Sequence, residues 1–167
     1  EEGSYLIVAD ADEDSYFVAS PGTYPTATNG GTLGINAVTL AHADGNVDFS
    51  EDLLPCIVSL KKGSVEDDTF AISFDPSKGR NCWCCAPGAA TFSVNNGFFF
   101  NPAPDTDSEE QGYWKFSYEF PYVVVTSRKV TTQHFYYVED YRQFRPARED
   151  ATEDGHTLKG IKFLRLQ

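Results

Sequence analysis

Cysteines are the residues of this chain with the clearest capacity for chemistry. Cys82, Cys84 and Cys85 lie in the run Cys-Trp-Cys-Cys, and Cys56 precedes them. A four-thiolate zinc site usually needs two separated Cys-X-X-Cys pairs, and only one such spacing occurs, so we predict no metal site. An even cysteine count in an exported protein predicts one or more structural disulfides. Cys82–Cys85 with Cys56–Cys84 is the two-bridge pairing with least strain inside the cluster, and one bridge with buried thiols is the alternative.

An acidic triplet near the start of the chain has part of a calcium-loop pattern. Asp10, Asp12 and Asp14 follow the i, i+2, i+4 spacing, but Ser15 stands where the loop needs glycine and Pro21 where it needs glutamate. Aspartate is also common in turns. We therefore interpret residues 10–14 as the tip of a hairpin.

The sequence contains no recognisable catalytic arrangement. His42, His134 and His156 lie in different segments, and no Gly-X-Ser-X-Gly, His-Glu-X-X-His or phosphate-binding glycine motif occurs. We predict that the protein is not an enzyme and uses no cofactor.

Aromatic and arginine side chains in the second half of the chain are the candidates for a binding surface. Flat rings stack on sugar faces, and tyrosine and arginine are enriched at interfaces. The alternative is that Trp114 is a core residue and that Arg142 and Arg145 only balance nearby acids. The predicted ligand-binding residues are Tyr113, Trp114, Tyr122, Tyr136, Tyr141, Arg142 and Arg145.

The formal net charge of −12 is concentrated in the first half of the chain. Residues 1–80 contain 14 acidic and 4 basic side chains, whereas residues 81–167 contain 11 and 9. A negative field repels phosphate, so we predict no nucleic-acid partner and no attraction to an acidic membrane surface. No run of about 18 apolar residues occurs, and no membrane-spanning segment is predicted.

Length and composition predict one all-β domain over residues 1–167. Hydrophobic residues make up 41% and aromatic residues 14% of the chain, which suits half-buried strands. The chain contains no methionine, so we expect any signal peptide to have been removed already. The expected location is extracellular or at the surface of a bacterial cell.

Short alternating runs predict strands, and helix signals are almost absent. Ser50 is expected to start a single helical turn that Pro55 ends. Strands are predicted at residues 4–9, 15–19, 35–40, 46–49, 56–60 and 161–166, besides the aromatic runs.

The aromatic runs give the chain a pattern that occurs twice. Residues 70–74, 92–94 and 98–100 resemble residues 114–118, 123–125 and 135–137. Repeated strand units favour an antiparallel barrel, and residues 5–19 as a degenerate first copy would make it β-trefoil-like. A β-sandwich is the alternative.

Several stretches in about the last third of the chain share one pattern of strands. They are Trp114-Lys115-Phe116, residues 123–127, Phe135-Tyr136-Tyr137, Gln143-Phe144-Arg145 and residues 161–166, with a fainter match at residues 5–8. In these stretches the chain resembles the all-β domains at the C-terminal end of secreted and surface proteins of gut Bacteroidetes. That resemblance implies an exported accessory domain without catalytic residues.

These observations favour a non-catalytic, secreted or cell-surface β module that binds a glycan or a protein. The alternative is a structural or assembly module that packs against a neighbouring domain or subunit without a soluble ligand. Exposed aromatic side chains in one shallow groove would favour the first hypothesis, and an apolar patch or an unpaired sheet edge would favour the second.

Overall fold

A computed structural model describes residues 1–20, 34–63, 68–74, 82–85, 98–101, 112–128 and 130–166, with only the backbone of residues 85 and 98–101. Within these ranges the chain is antiparallel β, joined in one sheet, with short 3₁₀ helices between strands. The all-β prediction is confirmed. No helix in the described ranges is long and apolar enough to cross a membrane.

Most strands of the described residues coincide with predicted runs. In chain order the strands are β1 (Gly3–Asp12), β2 (Ser15–Ser20), β3 (Ile35–Ala41), β4 (Val58–Lys62), β5 (Thr69–Phe74), β6 (Cys82–Cys85), β7 (Phe98–Asn101), β8 (Trp114–Glu119), β9 (Tyr122–Ser127), β10 (His134–Val138), β11 (Gln143–Ala147), β12 (Leu158–Lys159) and β13 (Lys162–Arg165). Of these, β6, β11 and β12 were not predicted. The 3₁₀ helices are Glu51–Cys56, Glu139–Tyr141 and Glu149–Thr152.

Six of the strands are joined by their pairings into a circuit, and three hairpins extend from it. β1 pairs with β4, β4 with β5, β5 with β8, and β8 with β9. A bridge from Val123 to Ile161 joins β9 to the start of β13, which pairs back with β1. The hairpins β2–β3, β6–β7 and β10–β11 extend from β1, β5 and β9. The β9–Ile161 step is a single bridge, so the circuit is not a regular barrel and the trefoil arrangement stays a prediction.

Alternate residues of the six strands face one apolar core. In β1, for example, Tyr5 and Ile7 point into this core, while Leu6 and Val8 point away from it. Trp83 of the second hairpin lies at the centre, edge-on to Phe135 with 3.7 Å between ring centroids. The core side chains of the six strands are Tyr5, Ile7, Val58, Leu60, Phe70, Ile72, Phe74, Trp114, Phe116, Val123, Val125, Ile161 and Phe163.

A second cluster covers the outer face of β1 and β2. Leu6 and Val8 pack there against Leu53 and Cys56 of the first 3₁₀ helix. The predicted helical turn after Ser50 is therefore present, and it includes Pro55. The strand predicted at residues 46–49 is wrong, because this segment only forms a bridge between Ala43 and Asn46 and then leads into the helix.

The two copies of the predicted repeat are not equivalent units. Residues 70–74 belong to β5 and residues 114–118 to β8, and these strands are hydrogen-bonded neighbours with Phe70 opposite Trp114. Their similar patterns arise because both face the same core. Residues 92–94, the second element of the first copy, lie outside the described residues.

The disulfide prediction is wrong for the cysteines whose side chains are described. Cys56, Cys82 and Cys84 are buried thiols that form no disulfide. Cys56, the last residue of the first 3₁₀ helix, lies in the outer cluster, whereas Cys82 and Cys84 pack with Ala71 in a separate cluster. The side chain of Cys85 lies outside the described residues. Burial raises the pKa of the Cys56 thiol, which disfavours the reactive thiolate.

Candidate functional site

An open pocket of about 290 Å³ lies outside the core, where β9 and β10 separate. The two strands pair at Thr126 and His134, so their remaining residues leave a space between the strands. The pocket is lined by Glu119, Phe120, Tyr122, Val123, Val124, His134, Phe135, Tyr136 and Gly160.

Strand alternation places two predicted ligand-binding tyrosines in this pocket. Val123 faces the core, so Tyr122, its neighbour on β9, points outward. On β10 Phe135 faces the core, and Tyr136 points outward for the same reason. Tyr122 and Tyr136, two of the predicted ligand-binding residues, therefore present amphipathic rings to one pocket.

Gly160 fixes the position of the Tyr122 ring. A Cβ atom at residue 160 would lie 2.6 Å from Tyr122 Cγ, so only glycine lets the ring lie this close to the backbone. The Lys162 ammonium lies 5.6 Å from the centroid of the same ring. Tyr122 also borders a second groove of about 630 Å³, which is lined in part by Asp10, Asp12 and Lys159. The sequence analysis missed Gly160, although an isolated glycine beside a strand was an available signal for close backbone approach.

An exposed aromatic ring in the turn between β8 and β9 belongs to the pocket lining. Phe120 is 85% exposed, and its ring centroid lies 6.3 Å from that of Tyr118 in β8, which is 67% exposed. Large apolar side chains exposed together commonly mark an interaction surface. Phe120 was not among the predicted ligand-binding residues.

Carboxylates make the pocket electronegative. Glu119 belongs to its lining. Burial raises the pKa of the Tyr136 hydroxyl, and the negative charges of Glu149 and Glu119 raise it further. The His134 ring is held by a hydrogen bond between its Nδ1 and Thr126 Oγ1, which are 2.9 Å apart. The pocket therefore combines ring faces with hydrogen-bonding groups and negative charge.

Tyr141 and Arg142 lie at the β10–β11 turn, and Arg145 lies in β11 opposite Tyr136; none of the three lines this pocket. Arg145 is buried, and its Nε and Nη2 donate to Gln143 Oε1 over 2.9 and 2.6 Å. Its guanidinium lies 4.1 Å from the Tyr141 ring centroid, and Gln143 donates to Asn36 Oδ1. Burial lowers the pKa of Arg145. Arg142 is exposed at this turn, with a left-handed φ of 52°. This cluster satisfies its own donors and has the character of a structural element.

Trp114 and Tyr113 do not belong to the pocket either. Trp114 has no exposed surface, and its Nε1 donates to the Trp83 carbonyl oxygen over 3.0 Å. It is a core residue, so its assignment to a ligand-binding surface is corrected. Tyr113 is half-buried and packs against the cluster that contains Cys82 and Cys84.

The acidic hairpin tip has the hydrogen bonds of a turn. Asp12 Oδ1 accepts from the Asp14 main-chain N–H over 3.0 Å and from Ser15 Oγ over 2.7 Å. The Ser15 hydroxyl, and next the Asp14 N–H, lower the pKa of Asp12. Asp10 is paired with Lys162, whose Nζ lies 2.6 Å from Asp10 Oδ1. No group of three or more potential metal ligands occurs in the described part of the chain.

The three histidines have separate partners. His42 Nδ1 accepts from the Gly45 N–H over 3.2 Å, and its ring packs on Tyr16. His156 Nδ1 lies 3.5 Å from Asp140 Oδ2. His134 pairs with Thr126, as described above.

No model of a known protein family matches this chain, and no curated protein matches it. The resemblance to surface domains of gut Bacteroidetes therefore stays a prediction.

Proposed function

We propose that the protein is a non-catalytic glycan-binding module whose site is the pocket between β9 and β10. The observation that carries this proposal is the group of aromatic rings around one shallow pocket: Tyr122 and Tyr136 together with the exposed Phe120. Rings of this kind stack on sugar faces, and Glu119 and His134 offer acceptors or donors to hydroxyl groups. A pocket of about 290 Å³ is near the lower end of the size range of ligand sites, which suits one sugar unit of a longer chain.

The test is a glycan-array screen of the domain, followed by titration of each hit against single variants. Replacing Tyr122 or Phe120 by alanine should weaken binding by roughly two- to tenfold, because each removes one ring contact. Tyr141→Ala is the matched control, since Tyr141 is also an exposed tyrosine but lies at the β10–β11 turn. Equal losses in all three variants, or no binding to any glycan, would contradict the proposal.

We infer further that the strands form a β-trefoil, with a six-stranded barrel of β1, β4, β5, β8, β9 and β13 capped by three hairpins. The order of the pairings supports this inference, because the three hairpins extend from β1, β5 and β9, which are every second strand of the circuit. The three units would then start at β1, β5 and β9. The weakest step is the bridge between Val123 and Ile161, where the Val123 N–H donates to the Ile161 carbonyl over 2.9 Å. An NMR spectrum without contacts across this bridge would contradict closure.

A structural or assembly role is the second candidate. It is favoured by an apolar groove of about 760 Å³ beside the outer cluster, whose lining includes Phe49 and Leu54. These side chains are 49% and 53% exposed. Sedimentation of the protein over a hundredfold concentration range tests self-association. A dimer that Leu54→Ser dissociates would favour this role over a glycan module.

The proposed location is outside the cell or at its surface, as the sequence predicted. The buried thiols of Cys56, Cys82 and Cys84 remove one argument for it, because paired cysteines are typical of oxidising compartments. The remaining support is the acidic, all-β character of the chain. Fractionation of the native host with an antibody would test it.

A further inference from the structure

We propose that the pocket between β9 and β10 selects an amino sugar with a protonated amine over neutral and acidic sugars, with Glu119 as the residue that determines this specificity. This inference rests on the proposed glycan function and adds the charge of the ligand to it. It starts from the composition of the lining, in which four phenylalanine and tyrosine rings accompany one carboxylate and no lysine or arginine is present among the nine lining residues.

The cations beside the lining residues have partners of their own. Lys159, next to Gly160, has its Nζ 3.3 Å from Glu139 Oε1. Arg145, opposite Tyr136 in the β10–β11 pair, donates to Gln143 Oε1. Lys162 Nζ, beside the Tyr122 ring, lies 2.6 Å from Asp10 Oδ1. Arg148 Nε lies 2.8 Å from Asp150 Oδ1. No ion pair between described residues involves Glu119. The carboxylate of Glu119 is therefore left to attract a cation from solution.

A second carboxylate adds to the same field. Glu149 lies close enough to Tyr136 to disfavour ionisation of its hydroxyl, and Glu119 acts on that hydroxyl in the same direction. Both charges thus act on the polar end of one ring in the pocket. A uronate or sialate carboxylate placed there would be repelled, whereas an ammonium group would be attracted.

The aromatic rings add a further preference for positive charge. The face of a tyrosine or phenylalanine ring attracts a cation within about 6 Å of its centroid. An amino sugar offers both an apolar face for stacking and an ammonium group for the carboxylate. This combination matches the lining of Phe120, Tyr122, Tyr136 and Glu119.

The experiment compares β-1,4-linked oligosaccharides of one length that differ only at the second carbon of each unit. They carry an amine (chitosan oligomer), an N-acetyl group (chitin oligomer) or a hydroxyl group (cellulose oligomer), and a uronate oligomer serves as the acidic ligand. Isothermal titration is performed with the intact chain at low and high NaCl, in a buffer in which the amine is protonated.

The amine oligomer should bind roughly three- to tenfold more tightly than the N-acetyl and hydroxyl forms, as one exposed ion pair with ring contacts allows. The preference should shrink at high NaCl because salt screens exposed charges. Glu119→Gln should abolish the preference by lowering the affinity for the amine oligomer to that for the neutral oligomers, because it removes the charge. Glu51→Gln, at an exposed acid of the first 3₁₀ helix, is the matched control and should leave it intact.

The failures of the two proposals are distinguishable. Equal affinity for amine and neutral oligomers, or a preference that survives Glu119→Gln, overturns charge selection and leaves the glycan site in place. Binding of none of the oligomers, by a protein with an unchanged melting temperature, overturns both. Tighter binding of the uronate oligomer would also overturn the inference, because it requires a positive pocket.

Discussion

The contact between Gly160 and Tyr122 makes a quantitative prediction about stability. A Cβ atom at residue 160 would lie 2.6 Å from Cγ, 2.7 Å from Cδ1 and 2.9 Å from Cδ2 of the Tyr122 ring. These are the ring atoms nearest the Tyr122 Cβ, so a small movement of the hydroxyl end of the ring cannot relieve the overlap. Gly160→Ala should therefore displace the ring or the backbone, at a cost of about 1–3 kcal/mol for overpacking.

A second term acts in the opposite direction. Alanine restricts the unfolded chain more than glycine does, which stabilises a protein by about 0.4–1 kcal/mol where the native backbone accepts it. Gly160 does not have the left-handed φ that disfavours other residues, unlike Gly155 with a φ of 89°. In the Tyr122→Ala background the overlap disappears and only this term remains. Gly160→Ala should thus destabilise the wild type but stabilise the Tyr122→Ala variant.

Urea denaturation of the four proteins in this double-mutant cycle measures the coupling. Fluorescence reports unfolding, because Trp83 and Trp114 are both buried. We expect a coupling free energy of about 1–3 kcal/mol, with similar m-values across the cycle. A parallel cycle with Tyr118→Ala is the control and should be additive, since the Tyr118 ring is 67% exposed and, opposite Val123, points to the other face of the β8–β9 pair from Tyr122.

Additivity of Gly160→Ala and Tyr122→Ala within about 0.5 kcal/mol would refute the packing argument. So would the same sign of the glycine substitution in both backgrounds. If the packing is as described, Gly160→Ala should also lower the affinity for any ligand that contacts the Tyr122 ring. This loss of affinity should accompany the loss of stability.

Three further predictions concern the core, the thiols and the hairpin tip. Trp114→Phe should cost about 2–4 kcal/mol in urea denaturation, because it removes buried volume and the indole hydrogen bond to a carbonyl oxygen; a change below about 0.5 kcal/mol would contradict the core assignment. The thiols of Cys56, Cys82 and Cys84 should react slowly with Ellman's reagent in the native protein and fully in denaturant without reductant, and fewer than three reactive thiols would contradict the absence of disulfides. The lowered pKa of Asp12 means that its contribution to stability is present above the ordinary carboxyl pKa of 3.8 and is lost as the pH falls through the lowered value; Asp12→Asn should flatten this part of the pH–stability curve, and an unchanged acid limb would contradict the hydrogen bonds at the tip.

Alternation of side chains made much of the sheet predictable from the sequence. Tyr5 to Val8 and Ile161 to Leu164 each consist of residues that suit a strand, and they pair with each other as β1 and β13. Both faces of β1 are covered, so its apolar run was a better signal than strict alternation. The pairing partners could not be predicted, because they depend on which distant strands share the core.

The similar aromatic runs were interpreted as two copies of one repeated unit. Strands that pack side by side in one core acquire the same kind of pattern. Phe70 and Trp114 stand opposite each other across β5 and β8 and pack in one core, so both strands need large inward residues. The proposed trefoil would instead make β5 equivalent to β9. The inward residues of β9 are Val123 and Val125, which differ in size from those of β5, so the sequence carries little trace of that relation.

The orientation of Trp114 was, by contrast, available from its own strand. In Trp114–Glu119 the polar residues Lys115, Ser117 and Glu119 occupy one set of alternate positions, which directs Trp114 and Phe116 to the opposite face. In β9 the three consecutive valines hide this signal, and the outward direction of Tyr122 is shown by Val123 and Val125, which face the core at the alternate positions.

Parity within a strand therefore separates the tyrosines of the proposed site from a core aromatic such as Trp114, and residue type does not. It fails only where a strand ends: Tyr118 shares the inward parity of Trp114 but lies beyond the core, and its ring is exposed beside Phe120. The residues that complete the candidate site, Phe120 in a turn and Gly160 before β13, belong to no alternating run. Their roles follow from where the strands end and from which ring the glycine meets, and both are determined by contacts between segments far apart in the sequence.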